Sequence, residues 1–220
     1  MQIDVHRSLL SGNRALAAAN HDRLQRYGLS ALNLLGSPGA GKTSLLEVTL
    51  RQLQGRYQVG VIEGDVATAA DAERVSQAGA HAVQINTRGG CHLDARMVAG
   101  ALGKLPLAEL DLLIIENVGN LVCPADFELG EALRVTVLSV TEGEDKVSKY
   151  PAIFRSSSAV VLNKIDLLPY TSFRLDLFAQ ALTEVNPRAT VFQLSARTGE
   201  GVAAWVDWLA QALRPPSESV

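Results

Sequence analysis

Residues 30–45 read Ser30-Ala31-Leu32-Asn33-Leu34-Leu35-Gly36-Ser37-Pro38-Gly39-Ala40-Gly41-Lys42-Thr43-Ser44-Leu45, or SALNLLGSPGAGKTSL. An apolar run of strand length, SALNLL, enters a glycine-rich loop, and the helical pattern TSLLEVTLRQL leaves it. This is G-x-x-x-x-G-K-[ST] in the strand–loop–helix setting that gives the pattern its meaning. The glycines let backbone N–H groups turn inward around phosphates, and the helix adds its positive end. Lys42 is expected at the β- and γ-phosphates and the Thr43 hydroxyl at a Mg²⁺ ion. A chance glycine-rich turn would lack one flank or the other. Gly36, Ser37, Pro38, Gly39, Ala40, Gly41, Lys42, Thr43 and Ser44 are therefore expected to cradle a nucleoside triphosphate.

Outward from that loop the chain alternates. Short apolar runs at 57–63, 82–86, 111–116, 134–140, 159–163 and 190–194 join the one at 30–35, and most are continuous. Such runs suit strands buried on both faces of a parallel sheet. Helical patterns fall between several of them, at 42–54, 70–78, 92–103, 173–186 and 201–213, and a further one at 13–27 stops at Gly28. The expected fold is α/β, a three-layer sandwich of a mainly parallel sheet with helices on both faces, as in P-loop NTPases. The expected division is a helical lead-in over 1–28, one P-loop domain with an embedded metal site over 29–214, and a frayed tail over 215–220.

Composition narrows the partners. With 220 residues, 47% of them hydrophobic, the chain can bury a full core. A net charge of −3 offers no basic field for nucleic acid, and no apolar run approaches the ~20 residues of a membrane span. The start, MQIDVHRSLLSGNR, is charged from its first turn and has no apolar h-region, so no secretory signal is expected. Two cysteines cannot build a disulfide framework. A cytoplasmic protein is expected.

The base is legible in Asn163-Lys164-Ile165-Asp166, which follows the run AVVL and so stands at the carboxyl end of a strand, where α/β ligands bind. The Asp166 carboxylate can accept from guanine N1–H and the 2-amino group together; adenine offers no such pair. Ser195-Ala196-Arg197, after the run TVFQL, can present a backbone N–H to guanine O6. GTP is the expected nucleotide, and a P-loop kinase is disfavoured. Asp65 and Glu116 end strand-like runs beside the loop and are assigned to Mg²⁺, Asp65 also as a candidate to orient the attacking water. An N-cap role for Asp65 is the plainer alternative. Gly119 is three residues past Glu116, placed to offer its N–H to the γ-phosphate. No glutamine stands beside these acids, so slow hydrolysis is expected.

The stretch GGCHLDARM puts Cys91 against His92, and Cys123 lies in ENVGNLVCP, shortly after Gly119. Alone, Cys123 reads as a small buried hydrophobe and His92 as a solvated histidine. Taken together beside a nucleotide site, they read as two thiolates and an imidazole, a set that suits Ni²⁺ or Zn²⁺. Cys91 is expected at a helix N-terminus, where its pKa would fall. Three ligands leave a site one short; water or the two-fold axis of a homodimer can complete it.

In order, GSPGAGKT, EGDVATAADAER, GGCHLD, ENVGNLVCP, TEGEDKVSKYP and NKIDLLPY closely resemble the HypB family, nickel-incorporation GTPases of [NiFe]-hydrogenase maturation within the SIMIBI class. The resemblance spans roughly residues 30–215. It implies a GTP-promoted homodimer that binds Ni²⁺ or Zn²⁺ and works with a HypA-like nickel chaperone on the hydrogenase large subunit. It also implies that Cys91, His92 and Cys123 are metal ligands at the dimer interface. Many members carry a cysteine motif or histidine run near the N-terminus; residues 1–30 here hold no cysteine and only His6 and His21. The lysine of Thr141-Glu142-Gly143-Glu144-Asp145-Lys146 is a candidate to reach nucleotide across a dimer, or simply part of a solvated loop. Two other functions compete. A urease-type nickel GTPase has a Cys-Pro-His arrangement that this chain lacks; a GTP-dependent chaperone of a cobalamin enzyme would need no nickel.

Overall fold

The computed structural model describes residues 5–65, 75 and 77–213, with the backbone alone at 5–8 and 65. Seven strands, β1 (Ala31–Gly36), β2 (Val59–Asp65), β3 (His81–Asn86), β4 (Leu112–Glu116), β5 (Leu133–Ser139), β6 (Ala159–Asn163) and β7 (Thr190–Gln193), form one sheet in the order β3-β2-β4-β1-β5-β6-β7. Every pairing is parallel. The expectation of a mainly parallel sheet therefore holds in full. All carboxyl ends of the strands face one way, and β1 sits at the centre with the phosphate loop at its tip.

The helices are α1 (Val5–Arg26), α2 (Lys42–Leu53), α3 (Ala95–Leu102), α4 (Lys146–Lys149), α5 (Pro151–Arg155), α6 (Leu175–Val185) and α7 (Val202–Ala212). Side chains alternate across the strands, so Leu32, Leu34 and Ile114 pack with α2 and α7 on one face. Ala31, Leu113 and Ile115 pack with α1 and α3 on the other face, and Leu35, Leu138 and Leu162 with α4, α5 and α6. Burial on both faces explains why the runs are continuous rather than alternating.

Two helix expectations shift. The one expected at 13–27 begins at Val5, since Ser8, Ser11, Gly12 and Asn13 hide the apolar period. It ends as expected at Gly28: Leu29 N–H returns to Leu24 O at 3.0 Å and Gly28 N–H to Gln25 O at 2.9 Å, with Gly28 at φ 66°. The one expected at 92–103 starts only at Ala95, because Asp94 caps it by accepting from Met97 N–H at 2.8 Å. The short helices α4 and α5 have too little periodicity to stand out. The helix expected at 70–78 falls mostly outside the described residues, as does the tail at 215–220. Among the described residues no helix is long and apolar enough to cross a membrane.

Candidate nucleotide-binding and metal-binding site

The phosphate loop hangs between β1 and α2. Gly41, the residue before the helix, has φ 95°, and a Cβ there would run into the Asn163 side-chain amide. Only glycine serves both demands. The Lys42 side chain is buried and folds over its own loop, Nζ donating to Gly36 O at 3.3 Å and Ser37 O at 3.2 Å. Thr43 Oγ1 donates to Glu116 Oε1 at 2.8 Å, so two of the residues expected around Mg²⁺ already touch. A cavity of about 320 Å³ opens here, lined by Lys42, Thr43, Glu63, Glu116 and Gly119 among others.

Glu63 is the surprise. The register pairs it with Glu116 on the neighbouring strand, and both carboxylates are buried. Asp65 ends the same strand, but its side chain lies outside the described residues. Glu63 and Asp65 share a strand face by the two-residue period, so the sequence alone cannot say which of them fronts the loop.

A second cavity, about 390 Å³, adjoins the loop on its other side and is lined by Gly41, Ser44, Asn163, Lys164, Asp166, Ala196 and Arg197 among others. Asn163 is 1% exposed and makes three bonds: Nδ2 donates to Ala40 O at 3.0 Å, while Oδ1 accepts from Lys164 N–H at 2.7 Å and Ala196 N–H at 3.1 Å. Lys164, at φ 62°, sends Nζ to Gly39 O at 2.7 Å. Of the backbone donors expected for guanine O6, Ser195 N–H already serves Glu200 O and Ala196 N–H serves Asn163. Lys146 lies over the Tyr150 ring at 5.5 Å.

Cys91, His92 and Cys123 come together: one ligand atom from each lies within 4.8 Å of the others. Cys91 Sγ lies 3.5 Å from His92 Nδ1, and a tetrahedral ion about 2.3 Å from each sulfur would hold the sulfurs roughly 3.8 Å apart, a spacing of the same order. Cys91 arrives from a tight turn after β3 in which Arg88 and Gly89 both have positive φ, closed by Gly90 N–H to Thr87 O at 3.0 Å. The His92 ring stacks on Phe127, centroids 3.9 Å apart, and burial holds its pKa below the usual histidine value despite Asp94 nearby. That favours the neutral imidazole, the form that ligates.

The expectation for the Cys91 thiol is overturned. It lies ahead of the Asp94 cap rather than on the helix end, and its pKa is raised, chiefly by the hydrogen bond with the Cys123 side chain, then by desolvation and the Cys123 charge. The neighbouring Cys123 side chain, not the helix end, is the main influence on the Cys91 thiol.

Three polar residues that sequence reasoning passed over, Asn117, Asn120 and Arg134, tie down the segments that carry the cysteines and the histidine. Asn117, 1% exposed, takes Leu93 N–H at 3.2 Å and Val118 N–H at 2.9 Å on Oδ1 and donates to Asn33 Oδ1 at 3.2 Å. Asn120 donates from Nδ2 to Cys91 O at 3.2 Å and accepts Val122 N–H at 2.8 Å. Behind them Arg134 holds Ala125 O at 3.0 Å and Phe127 O at 3.1 Å, while pairing with Glu131 at 2.7 Å. Glu131 in turn takes Asn33 Nδ2 at 3.1 Å. A single polar residue in a loop carries no sequence signal for partners this distant.

Comparison with known proteins fits this geometry. The family described as CobW/HypB/UreG, nucleotide-binding domain, matches residues 30–193. The hydrogenase maturation factor HypB of Rhizobium leguminosarum bv. viciae is 51% identical over 207 residues, which cover 94% of this chain and 69% of that protein. The chain belongs to the HypB family. Two HypB crystal structures superpose closely. That of Archaeoglobus fulgidus has a TM-score of 0.86 at 41% identity, covering 91% of this chain and 98% of its own. That of Helicobacter pylori HypB in complex with nickel has a TM-score of 0.87 at 36% identity, covering 95% and 100%. Membership of the HypB family makes the first cavity that of a P-loop nucleotide-binding protein.

Proposed function

We propose that this chain is a GTP-hydrolysing metallochaperone that binds nickel (or zinc) and assists nickel insertion during [NiFe]-hydrogenase maturation. The observation that carries the reading is the meeting of Cys91, His92 and Cys123 beside a segment that starts at the phosphate cavity. Two soft sulfurs and a neutral imidazole suit nickel or zinc cargo and no hard cation. The nickel complex of the Helicobacter pylori relative supports the same cargo.

GTP would lie across the loop. Lys42 would exchange its two loop carbonyls for phosphate oxygens, and Gly119 N–H would meet the γ-phosphate. Asp166 would accept from guanine N1–H and the 2-amino group, within a frame tied by Asn163. The donors around Thr43 fit magnesium: its hydroxyl and the carboxylates of Glu63 and Glu116 line one cavity, all oxygen donors of the kind a hard cation takes. Magnesium, when bound, neutralises charge on the β- and γ-phosphate oxygens. Asp65, the last residue of β2, is the residue proposed to orient water.

The assembly proposed is a GTP-promoted homodimer whose two chains pool six ligands, loaded by a HypA-like nickel chaperone in the cytoplasm and emptied toward the hydrogenase large subunit. The test is to titrate Ni²⁺ and Zn²⁺ into GTP- and GDP-bound protein, reading stoichiometry, affinity and oligomeric state together. Nucleotide-dependent metal affinity and a GTP-dependent dimer are expected. Cys91→Ala and Cys123→Ala should lose metal and keep GTP. One metal per monomer, indifferent to nucleotide and protein concentration, would count against the dimer. Variants that keep metal and lose GTP would overturn the ligand assignment.

A further inference from the structure

One residue reaches the phosphate loop, the Cys91 carbonyl and the N–H of the residue before Cys123. Asn120 donates its backbone N–H to Gly36 O at 3.0 Å, forming an isolated bridge to the first residue of the phosphate loop. Lys42 Nζ shares that carbonyl at 3.3 Å. The Asn120 side chain then reaches away from the loop, Nδ2 to Cys91 O at 3.2 Å and Oδ1 to the N–H of Val122, the residue before Cys123, at 2.8 Å. The neighbouring Gly119 presses on the loop so closely that a Cβ there would lie 2.8 Å from Pro38 N and 2.9 Å from its Cα. Residues 119–120 therefore cannot shift without moving relative to the loop, and Asn120 is bonded both to the Cys91 carbonyl and to the residue before Cys123.

We propose that Asn120 is the positioning residue through which the nucleotide sets the spacing of Cys91, His92 and Cys123; the inference rests on the function proposed above. The chemistry explains the residue type. One side chain must donate to a carbonyl and accept from an N–H at once, which an amide does and a carboxylate does not. Asn117 is the other bridge, but it is locked into the frame. Its backbone N–H extends the sheet to Leu34 O at 3.0 Å and its side chain is bonded inside the core to Asn33. Asn120 is partly exposed and lies beyond Gly119, so it follows the segment expected to answer the γ-phosphate. Contact with that phosphate would draw Lys42 off the shared carbonyl while Gly119 closes, altering both inputs to Asn120 in one event.

The test compares Ni²⁺ affinity of GTP-analogue-bound and GDP-bound protein in the unaltered chain, Asn120→Asp and Asn120→Ala, with nickel–thiolate absorption as the readout. Asn120→Asp keeps the acceptor for Val122 and removes the donor to Cys91; Asn120→Ala removes both without adding charge. The ratio of the two affinities is read, since a new carboxylate changes absolute affinity by itself. In the unaltered chain a ratio of about fivefold or more is expected, the lower end of ordinary coupling between sites. In both variants the ratio should fall to within about twofold of unity, with GTP affinity and thermal midpoint close to the parent's.

Variants that keep the parent's ratio overturn the inference and leave the function standing. Variants that lose GTP and metal affinity alike overturn it too, since that is the signature of a loosened fold. An unaltered chain that binds no nickel, or binds it equally with either nucleotide, overturns the function and this inference together.

Discussion

Two asparagines, Asn163 and Asn120, divide the molecule's chemistry between them. Asn163 is buried at the tip of β6 and ties the phosphate loop, the Lys164 turn and the Ala196 turn with three bonds. Asn120 is partly exposed and ties the same loop to the Cys91 carbonyl and to Val122, the residue before Cys123. The first makes a seat that is formed before its ligand arrives. The second joins the loop to the segments that carry Cys91 and Cys123. In the function proposed, recognition of the base would fall to the first and handling of cargo to the second.

The comparison can be broken at its rigid end first. Asn163→Ala strands a carbonyl and two N–H groups in the interior and should cost about 2–4 kcal/mol of folding stability, read as a lowered Tm or denaturant midpoint. An unchanged midpoint would mean the seat is not pre-formed. Next comes Asp166→Asn, which removes the carboxylate proposed to accept from guanine N1–H and the 2-amino group. GTP should weaken by roughly 100-fold, and xanthosine triphosphate, which offers an oxygen at position 2 to the new amide, should gain. Equal weakening of both nucleotides in a binding assay would place the base elsewhere. The smallest effect expected is at the other end. Phe127→Ala removes the ring under His92 and should reduce nickel affinity by about two- to tenfold, the range of an aromatic stack, with GTP affinity unchanged.

Much of this was legible in the residues. Seven apolar runs became seven strands because both sheet faces are covered, and the phosphate loop declared itself through its glycines and flanks. Cys91, His92 and Cys123 do meet in space. What stayed hidden depended on register and on long reach. Glu63 is told from Asp65 only once β2 is laid against β4. Asn33, Asn117 and Glu131 look like ordinary polar residues until β1, β4 and the 128–132 loop bring them into one chain of hydrogen bonds. The thiol of Cys91 was misjudged because the helix end was placed one turn early, and the cap belongs to Asp94.

Arg134 gives the loop that carries Cys123 a fixed rear. Its guanidinium grips Ala125 O and Phe127 O and is itself pinned by Glu131, whose side chain is anchored to β1 through Asn33. A segment held at one end and pushed at the other behaves as a lever about a fulcrum. In the coupling proposed, motion at Gly119 would be delivered to Val122 and Cys123 instead of being spread along the chain, while the histidine's ring support would stay still.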